Sequence, residues 1–213
     1  MSRWQRGGGG TITLTQLLPV PSSWKRLRSL AKSLPHPLLR QRAHAALRRR
    51  LRPADLLVVC HGNICRSPFA AALLARPLVA MGIRVESAGF VGPDRPSPRD
   101  AVRVAEAWGV DLSTHRSRLL TPQRVRQAEL IVVMDPAQGR AICERFGRSP
   151  RDILALGDMD PEPLVVRVIR DPVEQGPAAF AESYERIERC VAGLVGALAS
   201  LPCADATTGD RNP

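Results

Sequence analysis

A cysteine, an arginine and a serine lie close together in the segment Cys60-His61-Gly62-Asn63-Ile64-Cys65-Arg66-Ser67-Pro68. An apolar run precedes this segment and a helical pattern follows it, so the backbone is predicted to pass from a strand into a helix. Successive N–H groups in such a turn point inward, and the helix N-terminus adds positive potential, which together make a cradle for an anion. The thiolate, which is the reactive form of cysteine, would be favoured at Cys60.

Arg66 closes the cradle six positions after Cys60. Its planar guanidinium matches two oxygens of a phosphate, so a nucleophile and a clamp would meet on one tetrahedral anion. The predicted phosphate-binding residues are His61, Gly62, Asn63, Ile64, Cys65, Arg66 and Ser67. The alternative is a buried strand-end cysteine beside an unrelated turn, and it leaves the glycine, the arginine and the helix start as coincidences.

Strands and helices alternate around this segment. Apolar runs predict four strands, at 56–60, 83–87, 129–134 and 152–156. Helical patterns with capping and stop signals predict helices at 67–81, 99–108, 136–146 and 177–201, the first with Ser67 as its N-cap. The expected fold class is α/β, a single doubly wound domain with a four-stranded parallel sheet flanked by helices, whose ligands bind at the carboxyl ends of the strands.

The positive charge of the chain is confined to its beginning. The 213 residues include 31 basic and 20 acidic side chains, a formal net charge of +11. Twelve basic residues and no acidic ones precede Asp55, so 19 basic and 20 acidic residues remain from there onward, a net of −1. A specific nucleic acid is therefore not expected as a partner of the near-neutral body.

This asymmetry predicts a basic N-terminal extension at 1–53, a catalytic domain at 54–202 and a disordered tail at 203–213. Two short helices are predicted in the extension, one before and one after Pro35. The extension could pack on the domain, contact an anionic membrane surface or acidic partner, or reflect a translation start placed too far upstream. We find no secretory signal pattern, which predicts free cysteines and a cytoplasmic protein.

The cysteine segment resembles the phosphate-binding loop of the low molecular weight protein tyrosine phosphatases. Three further segments resemble that family in the same order along the chain: 86–89 after the second strand, 109–118 with Ser113, His115 and Ser117, and 133–135 at the end of the third strand. The resemblance covers roughly residues 53 to 202 and points to the bacterial members of the family.

The resemblance implies hydrolysis of phosphotyrosine in two steps without a metal or other cofactor. Cys60 would attack phosphorus and form a phosphocysteine, while the loop amides and Arg66 hold the equatorial oxygens. Ser67 would donate a hydrogen bond to the Cys60 sulfur. The residues implied to support the loop are Asn63, Ser87 and His115. Bacterial members often oppose a tyrosine kinase that controls polysaccharide export, which implies a phosphotyrosine protein, such as that kinase, as the partner.

A general acid must protonate the leaving group, and three aspartates followed by proline compete for this role. Asp171 is the predicted acid, because it lies just before the last helix and a glycine follows it, as in the resembled family. Asp160 is the alternative, and Asp135 matches a non-catalytic position at a strand end. An Asp-Pro pair alone is most often only a turn.

The chain departs from the family pattern at its aromatic positions. Val173 and Glu174 occupy places that typically carry aromatic residues, and Phe90 is the nearest candidate for a second aromatic wall. Aromatic residues make up only 4% of the chain. The resemblance therefore does not imply a strong preference for phosphotyrosine over other phosphoesters.

Other functions on this fold stay open. Ile64 stands where protein arginine phosphatases carry threonine, which favours the tyrosine branch. Arsenate reductases need two further cysteines after the third strand, and only Cys143 is available there. A non-catalytic phosphate-binding protein would be expected to lack Cys60, Arg66 or the acid. Cys65 is either an apolar filler or a thiol that could form a reversible disulfide with Cys60.

Overall fold

The computed structural model describes residues 35–163 and 166–202. Within them, four parallel strands form one sheet in the spatial order β2-β1-β3-β4. The strands are β1 (Asp55–Cys60), β2 (Arg84–Gly89), β3 (Leu130–Val133) and β4 (Ile153–Ala155). Cys60 pairs with Gly89, so the predicted nucleophile lies at the carboxyl end of the sheet.

Helices connect the strands. They are α1 (His36–Arg48), α2 (Arg66–Val79), α3 (Arg99–Ala105), α4 (Pro122–Gln127), α5 (Pro136–Phe146) and α6 (Pro177–Ala199). Short 3₁₀ turns occupy Glu106–Trp108, Pro150–Asp152 and Leu156–Met159. The sequence patterns missed α4, because its six residues are too few to show a helical period, although Thr121 caps it and Pro122 opens it.

Side chains of β1 alternate between the two faces of the sheet, and helices cover both faces. Leu56 and Val58 are buried in one cluster with residues of α2, α3 and α6. Leu57 and Val59 are buried in a second cluster with residues of α4 and α5. The predicted α/β fold with a four-stranded parallel sheet is confirmed.

The helix predicted after Pro35 is present as α1 and packs on the core. Ala43 and Leu47 are buried in the first cluster, and the His36 ring donates from Nε2 to the Gly157 carbonyl at 2.8 Å. The compact unit therefore begins at Pro35, earlier than the boundary predicted near residue 53, because the apolar side of α1 is buried against the core.

Two predicted segments lie outside the described residues: the helix before Pro35 and the tail from residue 203. In the part of the chain that the structure describes, none of the helices has the length and apolar character needed to cross a membrane.

Aromatic side chains concentrate in the core. The rings of Phe69 on α2 and Tyr184 on α6 stack with their centroids 3.8 Å apart, and Trp108 meets both rings edge-on. Phe180 also contacts the Tyr184 ring at a steep angle. These contacts join α2 to α6 on the first face of the sheet.

Candidate active site

The loop between β1 and α2, which we call the cysteine loop (residues 60–67), lies where the strand meets the N-terminus of a 14-residue helix. The helix begins at Arg66, and Cys65 is its N-cap residue. The prediction that Ser67 caps the helix is therefore wrong. The Ser67 hydroxyl donates instead to the sulfur of Cys60, at 3.0 Å. The N-terminus of α2 offers the loop the positive end of a helix dipole.

The Cys60 sulfur is fully buried and accepts two hydrogen bonds. One comes from Ser67 Oγ, and the other comes from the backbone N–H of Asn63 at 3.2 Å. Donors that point at a sulfur stabilise its negative charge. These two donors suit the sulfur to the role of nucleophile that the sequence predicts for Cys60.

Asn63 braces the loop internally and ties it to β2 and to the segment 109–118. Its Nδ2 donates to Ser67 Oγ and to Ser87 Oγ, each at 2.9 Å, and its Oδ1 accepts from the backbone N–H of Arg118 at 2.7 Å. Its carbonyl accepts from His115 Nε2 at 2.8 Å. The backbone of Asn63 has a φ of 50°, a left-handed conformation that asparagine adopts more readily than most residues. The structure thus brings together all the predicted supporting residues.

Gly89, at the end of β2, lets the loop approach the sheet closely. A Cβ atom at this position would lie 2.7 Å from the Asn63 nitrogen and 2.8 Å from the His61 carbonyl oxygen. Only glycine fits there without a shift of the loop. The sequence patterns singled out this segment but did not assign the glycine its steric role.

His115 supports the loop as a neutral ring. Burial lowers its pKa most, the hydrogen bond to the Asn63 carbonyl opposes that change, and Arg118 and Arg116 lower the pKa further. A pKa below the ordinary value of histidine leaves the ring uncharged at neutral pH. Its Nε2 then carries the proton that the Asn63 carbonyl accepts.

Arg66 and Asp171, the predicted clamp and acid, meet at the cysteine loop. The Arg66 residue is only 4% exposed, and its guanidinium donates to the Ile169 carbonyl at 3.1 Å and to a carboxylate oxygen of Asp171. The side chain of Asp171 is 43% exposed. Asp171 lies in the segment 169–176, which leads into α6 and which we call the acid segment. Its aspartate is within reach of any group that the arginine holds.

The competing aspartates have structural roles. The Asp160 residue is fully buried, and its carboxylate lies 3.3 Å from both Arg186 and Arg189 on α6. Asp135 is the N-cap of α5, where its side chain accepts from the backbone N–H of Ala137 at 2.7 Å within a capping box. Of the three candidates, Asp171 alone contacts Arg66 among the described residues.

The positions expected to carry aromatic walls offer no free ring. Val173 is half-buried and packs against the first core cluster, and Glu174 is exposed with a φ of 64°. Phe90 packs against the second core cluster, with the Arg145 guanidinium 5.9 Å from its ring centroid. These three positions therefore supply no exposed aromatic wall beside the cysteine loop.

The described cysteines, Cys60, Cys65, Cys143 and Cys190, are all free thiols. Burial, and then the neighbouring Cys60, raise the pKa of Cys65 to about 12, so this thiol stays protonated at neutral pH. Cys143 lies on α5 and Cys190 on α6, outside the cysteine loop. Across residues 35–163 and 166–202, no group of three or more His, Cys, Asp or Glu side chains is placed to hold a metal ion.

Arg95 contacts the cysteine loop but was missed by the sequence analysis. Its guanidinium donates to the Gly62 carbonyl at 3.2 Å. No sequence signal marks it, because an exposed arginine in a proline-rich loop is usually a solvated surface residue.

The comparisons with known proteins agree on one family. The family model described as low molecular weight phosphotyrosine protein phosphatase matches residues 55–202. The probable low molecular weight protein-tyrosine-phosphatase EpsP of Ralstonia nicotianae is 40% identical over 147 residues, which are 68% of this chain and 97% of that protein.

Solved structures give the same picture. Wzb of Vibrio vulnificus in complex with benzylphosphonate matches with a TM-score of 0.59 and 28% identity, over 67% of this chain and 97% of that chain. The YwlE arginine phosphatase from Geobacillus stearothermophilus matches with a TM-score of 0.62 and 25% identity, over 75% of this chain and 99% of that chain. The family match spans the sheet, the cysteine loop and Asp171.

Proposed function

The chain belongs to the low molecular weight phosphotyrosine protein phosphatase family, and on that premise we propose that it hydrolyses phosphotyrosine in proteins through a phosphocysteine at Cys60. One observation carries this proposal. The Cys60 sulfur accepts hydrogen bonds from Ser67 and Asn63 at the N-terminus of α2, with the Arg66 guanidinium in the same loop. A nucleophile and an anion clamp thus share one cradle.

In the first step the Cys60 thiolate attacks phosphorus. A sulfur–phosphorus bond forms, and the bond from phosphorus to the phenolic oxygen breaks. Arg66 and the loop amides hold the equatorial oxygens, whose charge is spread in the transition state. Asp171, in its protonated form, donates its proton to the departing oxygen, so tyrosine leaves as the neutral phenol.

In the second step water replaces the sulfur. Asp171, now a carboxylate, takes a proton from a water molecule that attacks phosphorus, and the sulfur–phosphorus bond breaks. Cys60 leaves as a thiolate, which the Ser67 hydroxyl stabilises from 3.0 Å. Phosphate is released and the cradle is regenerated. Neither step requires a metal ion, because Arg66 and the amides neutralise the phosphoryl charge.

The contact between Arg66 and Asp171 fits this cycle. A phosphate dianion in the cradle would compete with the aspartate for the guanidinium, because Arg66 offers a fork that suits two phosphate oxygens. Asp171 would then be freed from its partner and could carry a proton towards the leaving group. Substrate binding itself would therefore prepare the acid.

The partner proposed for this site is a phosphotyrosine protein in the cytoplasm, of which a bacterial tyrosine kinase is one example. The basic extension would act in docking, on an anionic membrane surface or an acidic partner, since it carries twelve basic residues and no acidic one. The catalytic residues all lie between β1 and α6.

The proposal is tested by release of phosphate from a phosphotyrosine peptide in the presence of a metal chelator. Wild-type protein is expected to turn over the peptide, and a Cys60→Ser variant to release none. A phosphoarginine protein is the second substrate, since an arginine phosphatase shares this fold. Turnover of phosphoarginine without turnover of phosphotyrosine would replace the proposed substrate, and loss of all turnover with the chelator would overturn the metal-free mechanism.

A further inference from the structure

Three successive carbonyl groups of the cysteine loop are held from outside. The His61 carbonyl accepts from the backbone N–H groups of Phe90 and Val91, at 2.8 and 3.3 Å. The Gly62 carbonyl accepts from Arg95, and the Asn63 carbonyl accepts from His115. In a trans peptide the C=O and N–H groups point in opposite directions. Donors outside the loop therefore fix the amides that point towards its interior.

The peptide group between Gly62 and Asn63 is hydrogen-bonded to an arginine on one side and to the Cys60 sulfur on the other. Its carbonyl, on Gly62, accepts from the Arg95 guanidinium at 3.2 Å. Its N–H, on Asn63, donates to Cys60 Sγ at 3.2 Å. A charged donor on the carbonyl side polarises the peptide and strengthens the N–H on the other side. Through this peptide group, the positive charge of Arg95 strengthens the hydrogen bond to Cys60 Sγ.

The Arg95 side chain is held in place for this contact. Ser117, only 3% exposed, bonds both backbone polar groups of Arg95, each at 2.9 Å. The side chain lies along Gly92, where an added Cβ would come 2.8 Å from Arg95 Nε. Arg95 forms no ion pair within the described residues, so its charge is not neutralised by a carboxylate there.

We propose that Arg95 is a positioning residue for the nucleophile, which stabilises the Cys60 thiolate through the peptide between Gly62 and Asn63. The proposal rests on the function proposed above and adds a residue to it. The other arginine near the sulfur, Arg66, is needed for the phosphate itself. Arg95 acts from the opposite side of the peptide and does not need to contact the substrate.

Several other side chains surround the Cys60 sulfur, and none of them is substituted in the test. Arg66 and Asp171 interact with each other and with the adjoining Cys65 thiol. Tyr184 of α6 interacts with both cysteines of the loop. His115 lies behind Asn63. A change in the titration of Cys60 can be assigned to Arg95 only if these groups are unaltered, so each variant needs a matched control.

The test is a pH titration of the Cys60 thiolate, followed by its ultraviolet absorbance relative to the Cys60→Ser form of each variant. In Arg95→Ala the midpoint is expected to move to higher pH by about half a unit, and kcat/KM in mildly acidic buffer is expected to fall roughly threefold to tenfold, because one charge-assisted donor is lost. Arg95→Lys, which keeps the charge, is expected to restore most of both. Arg99→Ala removes the exposed arginine at which α3 begins and is expected to match wild type.

A midpoint in Arg95→Ala equal to that in Arg99→Ala would overturn the proposal, and so would a fall in kcat/KM without a change in the midpoint. Should Arg95→Ala fail to fold, Arg95→Gln keeps a donor but loses the charge, and its midpoint is expected to lie above that of wild type; an equal midpoint would overturn the proposal. The titration does not depend on turnover. An inactive wild-type protein would refute the proposed function, whereas an unchanged midpoint would refute only the role of Arg95.

Discussion

The cysteine loop and the acid segment contribute the two halves of the site, and they are held in opposite ways. In the loop, Cys60, Asn63 and Ser67 are fully buried and bonded to one another. In the acid segment, the Asp171 side chain is 43% exposed, and its bonds are to Arg66 and to the backbone N–H of Val173, the latter at 3.4 Å. The loop is fixed by buried partners, whereas the acid is held by a contact that substrate could replace.

The proposed function gives a reason for this difference. A cradle stabilises the transition state best when its dipoles are already oriented, because no reorganisation then opposes the reaction. A general acid must bring its proton to the leaving group and later take one from water, so its contacts have to change during the cycle. Substitutions in the two regions should therefore differ in how they affect activity and stability.

The largest expected effect is that of Cys60→Ser. A serine hydroxyl in this cradle is a far weaker nucleophile than a thiolate, so hydrolysis of para-nitrophenyl phosphate should fall by about 10⁴-fold or more. Cys143→Ser, on α5, is the matched control and should keep wild-type activity. Residual activity of Cys60→Ser within tenfold of wild type would remove the cysteine loop from the mechanism.

Asp171→Ala should lower kcat by about 10²–10⁴-fold on phosphotyrosine, the usual contribution of a positioned acid, without a large loss of stability. Asp160→Asn is the variant to compare with Asp171→Ala. It breaks a buried ion pair with Arg186 and Arg189, so it should lower the free energy of unfolding by about 3–5 kcal/mol and keep the activity of the folded protein. Urea unfolding and kinetics on both variants separate the roles, and the reverse pattern would move the acid to Asp160.

Asn63→Ala should lower both the stability of the protein and its kcat. Two buried hydroxyls and one backbone N–H lose their partner, and alanine is strained at a φ of 50°, so the free energy of unfolding should fall by about 2–4 kcal/mol. A displaced loop should lower kcat by roughly tenfold to a hundredfold. Asn63→Gly removes the same bonds without the strain and should be less destabilised. Wild-type kcat in either variant would show that the cradle does not depend on Asn63.

The smallest expected effect is a pH dependence of stability that arises at His115. Because its pKa in the folded protein is lowered, the unfolded chain binds more protons between that value and the ordinary value of about 6.5. The stabilisation is therefore complete above about pH 6.5 and is lost as the pH falls. Urea midpoints compared between about pH 7.5 and about pH 5.5 should change less in His115→Gln than in wild type.

His44, whose pKa is also lowered by burial and by Arg40 and Arg48, contributes in the same direction. His44→Gln serves as the control, and it removes a contribution from α1 without touching the cysteine loop. An identical pH dependence in wild type and His115→Gln would show that this ring does not titrate differently in the folded and unfolded protein.

The sequence patterns predicted the fold, and they marked Cys60 as the candidate nucleophile, because both signals are local. An apolar run that ends in Cys60, followed by Arg66 and a helix start, predicts both a strand and a cradle. Ser67 was misassigned as a cap since a serine before a helix is usually one. Here the Ser67 hydroxyl donates to the buried sulfur of Cys60 instead of accepting from a backbone N–H, and only the three-dimensional arrangement decides between these two roles.

Contacts between residues that are far apart in the chain could not be predicted from the sequence. Arg95 and Gly62 are 33 residues apart, and Arg66 and Asp171 are 105 residues apart. Their meeting depends on how the loops after β1, β2 and β4 assemble at one edge of the sheet. The charge count likewise separated α1 from the rest of the chain. It counts only charged residues, and it takes no account of the two buried apolar side chains, Ala43 and Leu47, that join this helix to the core.

The most direct test of the account is to trap the phosphoryl group on the cysteine loop. Asp171→Ala is mixed with para-nitrophenyl phosphate and a metal chelator and then quenched with a denaturant at neutral pH, where the sulfur–phosphorus bond survives. The variant should form the intermediate, since this leaving group needs little protonation, and should hydrolyse it slowly without the base. Mass spectrometry is expected to find one phosphoryl group per chain, on Cys60. Nitrophenol release with no phosphorylated peptide, or with the phosphoryl group on another residue, would contradict the mechanism.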